Sequence, residues 1–193
     1  MSAKAKEKPW LPAQGEWTYE DYACLPDDGL RYEVLKGELY MAPAPIPRHQ
    51  DASRNLIYAL ISFILRHRQG RVYYAPIDVV LFEGTTVVQP DIIFISSGRA
   101  DIIGEKYIEG APDLVVEIIS PGTSERDRQA KYQIYEEAGV QEYWLLDPEN
   151  RTIEVFTLRE GIYELSGKWG PGEVARSVLL AGFEVEVDEI FTI

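Results

Sequence analysis

Asp113-Leu114-Val115-Val116-Glu117-Ile118-Ile119 sets an ionisable residue inside an apolar run, and Val87-Val88-Gln89-Pro90-Asp91-Ile92-Ile93-Phe94-Ile95 does the same with Asp91. Branched and aromatic residues fit a pleated surface, so both stretches read as strands. An ionised carboxylate in such a run costs several kcal/mol unless it is paired or bound to a cation. Side chains alternate along a strand, so Glu117 shares a face with Asp113, Val115 and Ile119, and Asp113 is expected to reach the same rim.

Further along, a helix is expected from near Ser124 to Ala138-Gly139. At about 100° per residue, Ala130, Ile134 and Ala138 form its apolar stripe, with Lys131 beside the centre and Tyr135 next to it. Lys131 therefore points toward the sheet, where a lysine requires a carboxylate or ligand to receive it. A local alternative is an i,i+4 pair with Asp127, with Ser124 and Asp127 forming a capping box. Two strand carboxylates and one lysine suit phosphodiester hydrolysis. The carboxylates hold Mg²⁺ through oxygen, and the lysine orients water or meets the charge developing on phosphorus.

Around this centre the pattern is that of one domain over residues 17–193 behind a flexible tail, residues 1–16. Trp17 to Leu25 reads as a short helix capped by Thr18 with Asp21 at its third position. Arg31 to Met41 reads as a hairpin turning at Lys36-Gly37. Pro43, Pro45 and Pro47 forbid regular structure until His49, where the principal helix begins; Leu56, Ala59, Leu60, Phe63 and Ile64 carry it toward Gly70. Three strands follow, at Val72 to Tyr74, Val79 to Phe82 and Val87 to Ile95. Later strands, Glu142 to Leu146 and Thr152 to Leu158, flank the turn Asp147-Pro148-Glu149-Asn150. The order implies an α/β (mixed α+β) fold, a mixed sheet flanked by helices. Trp169, Phe183 and Phe191 in the β-rich C-terminal third are expected to cover a sheet edge or form a self-association surface.

Composition bounds the function. The chain has 193 residues, 46% of them apolar, which is ample for a core. The longest apolar candidate, Leu56 to Leu65, is too short to span a bilayer. A charged start without an apolar h-region and a single cysteine point to a reducing cytoplasm, with no membrane association. Cys24, without metal-ligating neighbours, is expected to be a small core hydrophobe. The net charge of −13 opposes non-specific coating of nucleic acid. Yet Arg48, Arg54, Arg66, Arg68 and Arg71 face only Asp51 between positions 48 and 71, which makes the principal helix locally basic.

Together these segments resemble the PD-(D/E)XK nuclease superfamily and, within it, the Uma-two-type branch of restriction endonucleases. The resemblance rests on Gly37-Glu38-Leu39, Pro47-Arg48-His49, Gln89-Pro90-Asp91, residues 111–121 around Glu117, Lys131-Tyr132, Ala138-Gly139-Val140 and Glu142-Tyr143-Trp144. It implies a restriction-endonuclease-like fold with extra hairpins. It implies Asp91, Glu117 and the Ile118 carbonyl as ligands of Mg²⁺, with Mn²⁺ as a substitute, and DNA as the partner. The superfamily lysine stands two positions after the glutamate; here that position is Ile119, so Lys131 is its migrated replacement. Glu38 is a further candidate for the metal site, and His49 for phosphate contact or acid/base work. A homodimer would suit a double-strand cutter. Two carboxylates alone would also suit a glycosidase, which leaves Lys131 unexplained. A non-catalytic binding protein on the same scaffold is the reading from another class.

Overall fold

The computed structural model describes residues 11–42, 44–120 and 125–192. In chain order the elements are α1 (Tyr19–Ala23), β1 (Arg31–Leu35), β2 (Glu38–Ala42), α2 (Pro47–His67), β3 (Gly70–Tyr74), β4 (Val79–Leu81), β5 (Thr86–Val88), β6 (Ile92–Ser96), β7 (Ile108–Glu109) and β8 (Leu114–Ile118). There follow α3 (Glu125–Ala138), β9 (Glu142–Asp147), β10 (Thr152–Arg159), β11 (Ile162–Trp169), β12 (Val174–Arg176), β13 (Glu184–Glu186) and α4 (Val187–Ile190).

The central sheet has six strands in the order β11-β10-β9-β8-β6-β3; β8 and β9 run parallel and the other neighbours are antiparallel. A second sheet of five strands, β2-β1-β5-β4-β7, lies apart from it, and β12 and β13 form a small ribbon. The mixed α/β architecture is the one the element order implied.

Strand alternation divides the core. Ile92, Phe94, Leu114, Val116 and Trp144 pack with Ala52, Leu56, Leu60 and Ile64 of α2. Their sequence neighbours Ile93, Ile95, Val115 and Tyr143 pack with Ile134 and Tyr135 of α3 and with Leu35 and Val79 of the second sheet. The central sheet is thus covered on both faces, α2 on one and α3 with the smaller sheet on the other.

Several boundaries differ from expectation. Val87 to Ile95 is two strands in two sheets, because Pro90 has no N–H for a ladder and Asp91 turns aside to bind elsewhere. Helix α2 starts at Pro47, two residues before His49. A proline at the first helical position removes an N–H that would be unpaired anyway. Thr18 and Asp21 do form a capping box. The Ser124 box and the Asp127–Lys131 pair lie outside the described residues. Lys36 and Gly37 both have positive φ, as a two-residue hairpin turn demands. A Cβ on Gly37 would also lie 2.5 Å from the Gly15 carbonyl oxygen. That contact reflects pairing: Gly15 N donates to Gly37 O at 2.8 Å, and the Gln14 amide exchanges two hydrogen bonds with the Leu39 backbone. Gln14 and Gly15 are therefore tethered to the hairpin.

Two side-chain expectations are corrected. Cys24 caps the end of α1 and is exposed, since a five-residue surface helix offers no apolar cover there. Phe183 is buried against Phe63 and Trp144, with Trp169 and Phe191 packed on the same core. The C-terminal aromatics pack on the α2 face of the sheet, not along its edge. No helix among the described residues is long and apolar enough to cross a membrane.

Candidate active site

The antiparallel register pairs Ile92 of β6 with Val116 of β8, so one step outward brings Asp91 beside Glu117 and Ile118. Asp91 Oδ2 accepts the Ile118 N–H at 2.8 Å and lies 3.1 Å from His49 Nε2. His49 is carried there by the first turn of α2 and is buried, and its Nδ1 has no partner among the described residues. Both contacts fall on one carboxylate oxygen. Asp91 Oδ1 has none among the described residues.

Glu117, beside Asp91 in the register, projects toward α3. Lys131 Nζ stands 3.1 Å from Glu117 Oε1, and the Tyr135 hydroxyl donates to the same oxygen at 2.5 Å. Spacing of four residues along α3 aligns these two donors on one face. Lys131 also donates to Glu33 Oε1 at 2.8 Å, where the Gln89 N–H arrives at 2.8 Å as well. Asp91, Glu117 and Glu33 therefore each use one oxygen for protein donors, and the second oxygen of each has no partner among the described residues.

Two carboxylates around one lysine, with Asp91 beside Glu117, set the electrostatics. Burial, with Asp91 and Glu33 adding their charges, pushes the Glu117 carboxyl up to about 7 despite the opposing pull of Lys131 and Tyr135. Burial would lower the Lys131 ammonium, but Glu117 and then Glu33 outweigh it and hold the lysine charged, above its ordinary range. Burial and the Glu117 charge likewise raise the Tyr135 hydroxyl well above its usual value, so it remains a donor.

A divalent cation fits this donor set. Its charge would offset the surplus of carboxylates, and each offers a spare oxygen. Among the described residues, no three His, Cys, Asp or Glu side chains close into a ready metal cage. Mg²⁺ commonly takes only one or two carboxylates and keeps several waters, so two adjacent acids are sufficient. Beside the acids a small cavity of about 100 Å³ is lined by Glu33, Glu117, Lys131, Tyr40, Tyr143 and Arg128.

The structure thus brings together Asp91, Glu117, Ile118, Lys131 and His49. Glu38 is elsewhere: its carboxylate accepts the Tyr40 hydroxyl, and it lines a separate depression beside Lys36 and Gln133. Asp113 sits at the far end of β8 and binds the Ser96 N–H at 2.7 Å and Arg99 at 3.1 Å. Four residues of strand, about 13 Å, separate it from Glu117. Two residues were missed in the sequence. Glu33 lies in Tyr32-Glu33-Val34-Leu35, the same pattern of an acid inside an apolar strand that exposed Asp91 and Glu117. Arg128 is one helical turn before Lys131 and carries no comparable signal.

Fold and site together describe a nuclease-like protein. The crystal structure of a putative nuclease belonging to DUF820 from Anabaena variabilis superposes with a TM-score of 0.75 at 20% sequence identity, covering 91% of this chain and 97% of that one. The chain belongs to the Uma2 family, described as "Putative restriction endonuclease", whose model matches residues 19–188. None of the curated proteins matches it.

Proposed function

We propose that this protein is a Mg²⁺-dependent DNA endonuclease, with Mn²⁺ able to replace Mg²⁺. The observation that carries the reading is the pair of adjacent strand acids, Asp91 and Glu117, each with one oxygen fixed by protein donors and the other without a partner among the described residues. Asp91, Glu117 and the Ile118 carbonyl would hold the ion. When bound, it would lower the pKa of a water and offset charge on the phosphodiester.

The chain's own groups supply the rest. Lys131, charged and held between Glu33 and Glu117, orients the attacking water and meets negative charge developing on the phosphoryl oxygens. Tyr135 and Lys131 fix the Glu117 carboxylate; Ile118 N–H and His49 fix Asp91. His49 can also contact phosphate or relay a proton, and its unpartnered Nδ1 supports such a role. A glycosidase reading would leave Lys131 without a task, although it bonds directly to Glu117. Cutting both strands of DNA would be served by a homodimer.

The test is calorimetric titration of Mg²⁺ into wild type and Glu117→Ala, followed by incubation with supercoiled plasmid. Binding and nicking in wild type, both absent in Glu117→Ala, support the reading. Absence of metal binding in wild type sinks it and leaves a non-catalytic binding protein on this scaffold.

A further inference from the structure

A second cleft, of about 720 Å³, opens on the other side of Asp91, between α2 and the Tyr74-Ala75-Pro76 segment that follows β3. Its volume lies within the roughly 300–1,000 Å³ of ligand clefts. Asp91 and His49 form part of its wall, so it borders one of the candidate metal ligands. Ile57 and Ile61 give it an apolar floor.

Two features set this cleft apart from ordinary surface. Tyr58 and Tyr74, one on each wall, leave 77% and 57% of their surface in solvent. Aromatic rings left open beside a functional carboxylate offer faces on which a planar group can stack. Arg31 and Arg54 supply cationic heads, Arg31 steadied by Gln89 at 3.1 Å and Arg54 by Asp51 at 2.8 Å. Two cations are too few to track a duplex backbone, and the net charge of −13 opposes broad phosphate binding. Apolar walls with exposed rings and a few cations match an unpaired base with its flanking phosphates.

We infer that this cleft binds an unpaired nucleotide segment, with bases stacked on Tyr58 and Tyr74 and phosphates met by Arg31 and Arg54, and delivers the strand to Asp91. The inference rests on the nuclease reading of the Asp91–Glu117 site and specifies its substrate as DNA with single-stranded character.

Fluorescence anisotropy with a labelled oligothymidine strand and a blunt duplex of equal length, in Ca²⁺ buffer, tests it. The single strand should bind at least about tenfold more tightly, and Tyr58→Ala or Tyr74→Ala should each weaken it by roughly 5- to 150-fold. Leu65→Ala, an exposed apolar position further along α2 and outside the cleft, should change nothing. The logarithmic salt slope should be about −1.4 for two phosphates. Equal affinity for duplex, or indifference to both tyrosines, overturns the inference, as does a slope near about −4, which marks phosphate tracking. Plasmid nicking in Mg²⁺ is read separately. Nicking without tyrosine-dependent strand binding overturns this inference alone, whereas tyrosine-dependent binding without nicking supports the cleft and removes the nuclease reading.

Discussion

Lys131 Nζ lies 3.1 Å from Glu117 Oε1, fourteen positions away in the chain and on a different element. This contact brings a cation to Glu117 from α3 and not from the strand that carries the glutamate. If Lys131 serves the transition state and not the metal, Lys131→Ala should bind Mg²⁺ yet nick plasmid about 10²- to 10³-fold more slowly. Calorimetry and a nicking time course on one preparation check both halves. Equal loss of metal binding and nicking would assign Lys131 to holding the site together.

The pH response follows from Glu117. Its carboxyl is pushed up to about 7 from 4.5, so in the metal-free protein it holds a proton that the unfolded chain would already have released. Its contribution to stability is therefore complete below about pH 4.5 and lost as pH rises through about 7. Metal-free protein should melt at lower temperature at pH 8 than at pH 5.5, and Glu117→Gln should flatten that trend. Mg²⁺ affinity should run the opposite way, falling about tenfold per pH unit below 7, since the ion must displace the proton. Thermal melts with EDTA and titrations at three pH values measure the two trends.

Much of this site could be read in the sequence, for a physical reason. Asp91 and Glu117 are conspicuous because acids are expensive in apolar strands, and Lys131 because helical periodicity turned it toward the sheet. What escaped reading depends on contacts distant in the chain. Glu33 carried the same local signal, but only the meeting of β1 with α3 brings it to Lys131. Glu38, two positions from Tyr40 on the same strand, satisfies itself locally. The break at Pro90 is visible as chemistry, yet the flanking residues are β-prone on both sides and predict a continuous strand. Which sheet each half joins is decided by tertiary pairing, Val87 with Val34 and Ile92 with Val116.

Glu33 should act through Lys131. Glu33→Gln keeps an oxygen for the Gln89 N–H but removes one of the two charges that hold the ammonium. Nicking should fall about 10- to 100-fold while Mg²⁺ affinity changes by less than about threefold, the pattern of an outer-shell group. A drop of more than about tenfold in calorimetric affinity would make Glu33 a metal ligand instead.

Glu142 has a structural role that its position at the head of β9 did not announce. It is fully buried, and its carboxylate receives Trp144 Nε1 at 2.7 Å, Ser177 Oγ at 2.6 Å, Val178 N at 2.7 Å and Leu179 N at 2.8 Å. Four donors from β9 and the loop after β12 thus converge on one side chain, tying that loop to the start of β9, an inner strand of the central sheet, where Leu180 and Phe183 enter the core. Removing the acceptor leaves the buried Trp144 N–H without a partner and frees three part-buried loop donors, and each buried unpaired group costs about 1–3 kcal/mol. Glu142→Ala should therefore lose about 1–3 kcal/mol in urea unfolding, more than a surface acid such as Glu164 would. Because the cost is local to the loop, amide exchange at Val178 and Leu179 should rise in Glu142→Gln while amides of Val115 and Val116 stay protected. Uniform exchange across the sheet would show instead that this carboxylate supports the whole fold.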